Sequence, residues 1–236
     1  NKEVADKYKI KRYGAHGTSH WFVSSQIPEF LGIDAEAAKG LKQIVLHIGN
    51  GASASAELGG RPIETSMGLT PLDGLIMGTR CGTLDPATVF YLNRVGGYSM
   101  DDIDTMMNKQ SGLLAVSGVS SDFRDLDAAA EKGNEAAQLA LDKFAYEVRK
   151  YIGAYAAALG GVDCIVFTAG VGENSGSMRA SICDGLEYLG VKLDAEKNKL
   201  RGEEVIISTP DSKVTVWVIP TNEELMIAQD TAALTK

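Results

Sequence analysis

His16 and His20 stand four residues apart in the stretch RYGAHGTSHWF, and the chain has only one other histidine, His47. Two rings at that spacing can ligate a metal or move a proton, and a glycine-rich loop can instead hold a charged oxygen. A metal pair needs both rings on one helical face. Gly14 and Gly17 oppose a helix running through His16, and the acid of a zinc-protease helix is missing. His20 reads as a packed or capping residue. His16, between those glycines, has two open readings: an ordinary loop residue, or one that meets a ligand where backbone can approach it.

Two other stretches expose consecutive backbone N–H groups directly after a β-rich run: HIGNGAS, from His47, and TAGVGENS, from Thr168. Such groups bind phosphate oxygens in nests and at helix starts. Neither stretch carries the Lys-Ser/Thr of a P-loop, and GVGENS does not match the dinucleotide fingerprint. Arg80 lies in a Gly-rich, charge-poor segment where only Asp73 and Asp85 accompany it between Met67 and Ala87. It therefore needs a buried partner or an anionic ligand. In SSDFRDLD, Ser121 or Asp122 can cap a helix and Asp122–Arg124 can be a surface pair. Glu223 and Glu224 follow Asn222 at a helix start, where acids suit the helix dipole.

The elements that must position these residues are legible in outline. Residues 1–11 read as a helix tail or linker, and a helix starts at Thr18 or Ser19. QIVLHI, ASASAEL and RPIETS form a β-meander over 43–66, with Asn50-Gly51 at its first turn. Residues 67–84 are an irregular connection. Helices follow over 85–95 and 100–110, and another starts near Ser121. The clearest helix covers 134–159, where Ala137, Leu141, Phe144, Val148, Tyr151, Ile152, Tyr155 and Leu159 make one apolar stripe. DCIVFTA is a buried strand followed by the GVGENS loop and a helix from Ser175 or Ser177. EEVIIS and KVTVWVI are strands, and TNEELMIAQDTAAL is a capped terminal helix. Strands followed by mixed βα units predict an α/β fold.

Composition narrows the function classes. At 236 residues, 44% hydrophobic and 23% charged, the chain can bury a substantial core. A net charge of −8 argues against a nucleic-acid or anionic-membrane surface. Cys81, Cys164 and Cys183 lie far apart and fit neither a disulfide framework nor a zinc site, which points to a reducing cytoplasm. The most apolar stretch, YIGAYAAALGGV, is too short and Gly-rich to span a membrane, and no signal peptide is expected.

RYGAHGTSH, HIGNGASASA, SMGLTPLDGLIMGTRCGTLDP, SSDFRDL, FTAGVGENS and PTNEE occur in the order and contexts seen in acetate kinases. The resemblance runs across essentially the entire chain. It implies a ribonuclease H-like lobe of the actin-like ATPase superfamily, α/β with a mixed β-sheet flanked by helices. Residues 1–221 would be the C-terminal nucleotide-binding lobe, and 222–236 a terminal helix that packs on an N-terminal lobe not contained in the chain. The implied activity is reversible transfer of the ATP γ-phosphoryl group to acetate, with propionate kinase and a non-catalytic nucleotide-binding module as alternatives. The resemblance makes His47, Ile48, Gly49, Asn50 and Gly51 a phosphate-holding strand-turn. It assigns Asp122, Phe123 and Arg124 to the adenosine site, and Gly170, Val171, Gly172, Glu173 and Asn174 to a second nucleotide loop. Glu223 would bind Mg2+ or Mn2+ through water, and His16 and Arg80 would stabilise the transition state. A homodimer is implied as well. Two departures stand out. Ala15 occupies a position that is usually aromatic and helps wall the acyl pocket. The chain also begins at Asn1 without the N-terminal lobe, so it reads as half of an enzyme, inactive alone.

Overall fold

The computed structural model describes residues 1–235. In chain order the first elements are α1 (Lys2–Tyr8), α2 (Gly17–Phe30), α3 (Ala35–Ala38), β1 (Lys42–Ile48), β2 (Ala52–Leu58) and β3 (Arg61–Thr65). Then come α4 (Ala87–Arg94), α5 (Met100–Lys109), α6 (Gly112–Ser117), α7 (Phe123–Glu131) and α8 (Glu135–Leu159). The chain closes with β4 (Cys164–Thr168), α9 (Ala169–Asn174), α10 (Gly176–Cys183), β5 (Val205–Ile206), β6 (Thr215–Val218) and α11 (Glu223–Leu234). Two compact units result. One comprises Asn1–Ala15, Asn50–Ala52 and Ser66–Glu147; the other comprises His16–Gly49, Ser53–Thr65 and the chain from Val148 onward.

The second unit is built on a six-stranded sheet in the order β3-β2-β1-β4-β6-β5. β1 pairs with β4, and β4 with β6, in parallel. β3 runs antiparallel to β2, and β5 antiparallel to β6. β1 and β2 are neighbours joined by only three residues, a connection that permits only an antiparallel pair. Every residue of β4 is buried, as expected of a parallel strand covered on both faces. Pro62 and its neighbours lie on the exposed edge strand, where a missing donor costs nothing in the ladder. Phe22, Val23 and Ile27 of α2 join Val45, Val166, Trp217, Ile219 and Met226 in one core cluster.

Three sequence expectations are corrected here. α2 begins at Gly17, not Thr18 or Ser19, because His16 takes a left-handed conformation (φ 59°) and serves as its N-cap. GVGENS is not a loop: residues from Ala169 form the short helix α9, entered through Ala169 at φ 66°. α11 is not without a partner in this chain, since it packs on α2 and buries Met226 in the core, while Leu225, Ile227 and Leu234 stay exposed.

In the other unit, α5 opens with a Ser99–Asp102 capping box. The part of α8 that belongs to it buries Ala137, Leu141 and Phe144, and Phe123 of α7 meets Phe144 edge-on at 4.9 Å. The irregular 67–84 segment is fixed through its backbone. Tyr13 N and Gly14 N both donate to Gly68 O, and Ile76 N donates to Glu147 Oε2 at 2.9 Å. Gly112, at φ 68°, lets α6 press against this segment; a Cβ there would meet Met77 O at 2.2 Å.

Candidate functional site

The strand period and the helical turn together build a polar cluster inside the second unit. Along β2, Ala54 and Ala56 alternate with Ser53, Ser55 and Glu57, so the three polar residues share a face. All five are buried. On α2 the N-capping His16 and His20 lie one turn apart, His20 N donating to His16 O at 2.9 Å. Both rings reach the same hydroxyl: His16 Nδ1 is 2.8 Å and His20 Nε2 2.7 Å from Ser53 Oγ. No helix runs through His16, as expected, yet from the N-cap position of α2 its ring reaches the same hydroxyl as His20. His20 Nδ1 lies 2.9 Å from Ser55 Oγ, which is 2.8 Å from Glu57 Oε1.

β1 brings His47 to the same place. Its ring stacks on His16 at 3.9 Å between centroids, and its Nδ1 is 2.8 Å from Ser19 Oγ. Burial, with repulsion from the neighbouring rings, lowers the pKa of His20 to about 3 and that of His47 to about 3. Neither ring carries charge at neutral pH. Burial pushes the Glu57 carboxyl up, against the lowering effect of Ser55. Ser53, Ser55 and Glu57 escaped the sequence reading, although buried serines alternating with alanines and ending in an acid were its available signal.

Elsewhere in this unit, α9 packs on β1, and Gly172 sits where a Cβ would come within 3.7 Å of Leu46 O. Glu173 Oε1 accepts from Ala169 N at 2.8 Å and from Thr221 N at 3.2 Å. That carboxylate ties the 170–174 segment to the turn that starts α11. Two residues after Thr221, Glu223 is exposed and takes part in no ion pair among the described residues. Thr221 Oγ1 is buried without a hydrogen-bond partner. Among the described residues, no three His, Cys, Asp or Glu side chains gather closely enough to hold a metal on their own. A cation at Glu223 would need most of its ligands from water or a bound anion, as a hydrated hard cation does.

In the first unit, Arg80 is half-buried. Its backbone is fixed by Met77 N donating to Arg80 O at 3.1 Å. Its guanidinium reaches only Pro71 O at 3.3 Å and Met77 Sδ at 3.5 Å. The nearby Asp73 is engaged otherwise, accepting from Thr83 Oγ1 and lying 3.8 Å from Arg12. Asn50 is exposed at the tip of the β1–β2 turn, and its carbonyl accepts from Gly78 N at 3.0 Å. Asp122 caps α7 and grips Arg124 through Nε at 3.0 Å and Nη2 at 2.6 Å. That hydrogen bonding holds the Asp122 carboxyl down to about 2. The cap and the surface pair read from the local sequence are both present, and Phe123 between them is buried.

Over residues 1–229 the sequence matches the acetokinase family. It is 61% identical over 229 residues to an acetate kinase of Dictyoglomus thermophilum, covering 97% of this chain and 57% of that protein. An acetate kinase of Clostridium botulinum (strain Hall) is 58% identical over 233 residues, 99% of this chain and 58% of the relative. Among solved structures, Porphyromonas gingivalis acetate kinase matches with a TM-score of 0.95 at 47% identity, over 99% of this chain and 58% of its own. A propionate kinase from Francisella tularensis matches with a TM-score of 0.89 at 43% identity, over 98% of this chain and 58% of its own. The chain thus spans a little over half the length of these relatives. Its mixed sheet flanked by helices is the actin-like ATPase fold of acetate kinases. The match covers nearly every residue, and the chain belongs to the acetokinase family.

Proposed function

We propose that this chain is the nucleotide-binding C-terminal lobe of an acetate kinase that moves the γ-phosphoryl group of ATP to acetate, reversibly, giving acetyl phosphate and ADP. What carries the reading is the 61% identity to an acetate kinase over 97% of the chain. His47 to Gly51 and Gly170 to Asn174 would hold the nucleotide's phosphates, and Asp122 to Arg124 its adenosine. Phosphoryl transfer asks for fixed donors and positive charge on the equatorial oxygens more than for covalent chemistry. Arg80 would supply a permanent guanidinium and His16 a ring N–H. Glu223 would hold Mg2+ or Mn2+ through water, and the cation would neutralise charge on the phosphate oxygens. Residues 1–221 would form the lobe, with the exposed side of α11 meeting the part of the relatives that this chain does not span. That part would complete the reacting geometry, so the chain by itself would not turn over. A reducing cytoplasm agrees with three free cysteines. A homodimer belongs to the same reading, and a monomeric mass by light scattering at micromolar concentration would count against it.

Acyl hydroxamate formation tests the function. A protein of the relatives' full length containing this chain should convert acetate, given ATP, Mg2+ and hydroxylamine. Absence of nucleotide-dependent product with both acetate and propionate would remove the kinase reading.

Ala15 bears on selectivity between those two acids. An extra methylene in an apolar pocket is worth only about 1–3 kcal/mol, and a small residue in place of an aromatic wall narrows that difference. Ala15→Phe in the full-length protein should therefore raise the acetate-over-propionate ratio of kcat/KM. An unchanged ratio would place Ala15 away from the acyl group.

A further inference from the structure

The polar face of β2 does more than fill space beneath His16. Glu57, Ser55, His20, Ser53 and His16 make an unbroken series of hydrogen-bonded contacts of 2.8, 2.9, 2.7 and 2.8 Å. Each serine hydroxyl has one proton to give, so the direction of every bond follows from the state of its end. When Glu57 is ionised it accepts from Ser55, and Ser55 accepts from His20 Nδ1–H. His20 Nε2 then accepts from Ser53, and Ser53 accepts from His16 Nδ1–H. His16 is left with a lone pair on Nε2. When Glu57 is protonated, every bond reverses and His16 carries its proton on Nε2.

We propose that Glu57, Ser55, His20 and Ser53 are a buried proton wire, through which His16 presents Nε2–H as a neutral donor while the matching proton resides on Glu57. The step balances. A proton from water enters at His16 Nε2 and the Nδ1 proton passes to Ser53. The Ser53 proton passes to His20 Nε2, the His20 Nδ1 proton to Ser55, and the Ser55 proton to Glu57 Oε1. Both rings end neutral.

The His16 ring is held by the His47 ring stacked on it and by the Ser53 hydroxyl at Nδ1. At the other end, Glu57 is 2% exposed and gains by becoming neutral. The neighbouring strand β3 places Pro62 opposite Glu57, while its charged residues Arg61 and Glu64 are exposed. Only the use of the Nε2 donor, on a phosphoryl oxygen, rests on the proposed kinase chemistry. Glu57 and the wire residues are positioning groups, since none is argued to touch substrate.

Labelling the chain with 15N-histidine reads this directly, because three rings can be assigned with single His→Gln variants. On lowering the pH through the Glu57 titration, His20 and His16 should exchange N–H from Nδ1 to Nε2 together, with neither becoming imidazolium. Glu57→Gln should abolish the exchange at both rings. Ser53→Ala should leave the exchange at His20 and uncouple His16, and Ser53→Thr, which restores a hydroxyl, should recouple it. The Ser53 pair decides the matter even if Glu57→Gln does not fold. An exchange at His16 that survives Ser53→Ala would overturn the wire, as would direct conversion of His16 to imidazolium in the unsubstituted chain. A failed acetate assay with intact coupling would sink the kinase reading and leave the wire standing.

Discussion

Replacing Arg80 with alanine in the full-length protein is expected to lower kcat by ~10²–10³-fold, the loss typical when one fixed transition-state donor is removed. Sequence and structure support this independently. In the sequence Arg80 is the one cation of a Gly-rich stretch. In the structure its guanidinium finds a carbonyl and a thioether, and no ion pair among the described residues includes it. Its backbone, by contrast, is over-determined: Arg80 O accepts from Met77 N, while Thr79 O accepts from Ser111 N and Cys81 N donates to Met107 O. A guanidinium on a firmly held main chain and outside any ion pair is available to an anionic ligand. The side chain contributes little to the fold, so Arg80→Ala should melt within a few degrees of the parent. Arg80→Lys should recover only part of kcat, because an ammonium lacks the planar fork. A variant that is folded and retains near-normal kcat would remove Arg80 from the chemistry.

The features most legible in the sequence were those carried by hydrophobic period. The stripe predicted over 134–159 is buried at Ala137, Leu141, Phe144, Val148, Ile152, Tyr155 and Leu159. β1, β4 and the β2–β3 hairpin were legible for the same reason. The shortest helices were not. α6 and α9 are six residues each and begin or end among glycines, so no period could develop over them. The companions of His16 were hidden differently. Ser53 and Ser55 give no hydrophobic signal, and Glu57 at the end of a strand reads as an exposed edge charge, whereas only the packing of α2 on β1 reveals them as buried. A lone apolar side chain such as Met226 does not say in the sequence which neighbour covers it; in the fold it is buried in the core cluster beside α2.

The largest stability effect is expected at Arg179, in the short helix α10. It is fully buried at 0% exposure. Its guanidinium donates to Asn198 Oδ1 at 2.9 Å, Asn198 O at 2.6 Å, Leu200 O at 2.9 Å, Gly172 O at 2.9 Å and Glu173 O at 2.9 Å. None of these acceptors is a carboxylate. Burial lowers the Arg179 pKa to about 10, which leaves it charged at neutral pH, solvated by oxygen dipoles instead of water. Arg179→Met would fill much of the volume and strand those acceptors. Four backbone carbonyls and one amide oxygen would lose a charged donor in a place that water reaches poorly. A loss of about 3–5 kcal/mol is expected, a large fraction of the ~5–15 kcal/mol that holds a domain together. For a chain of this size that corresponds to a fall in Tm of roughly 6–20 °C. Arg179→Lys should recover part of it, since three ammonium donors cannot serve five acceptors in fixed directions. The same substitution should loosen the carbonyls of Gly172 and Glu173, so nucleotide affinity measured by calorimetry below the lowered Tm should weaken too. Replacement of a buried charge by an apolar side chain can be neutral when its partners are apolar or can be re-solvated. An unchanged Tm for Arg179→Met would therefore mean that water enters to satisfy these five oxygens, and that Arg179 does not brace the 170–174 segment.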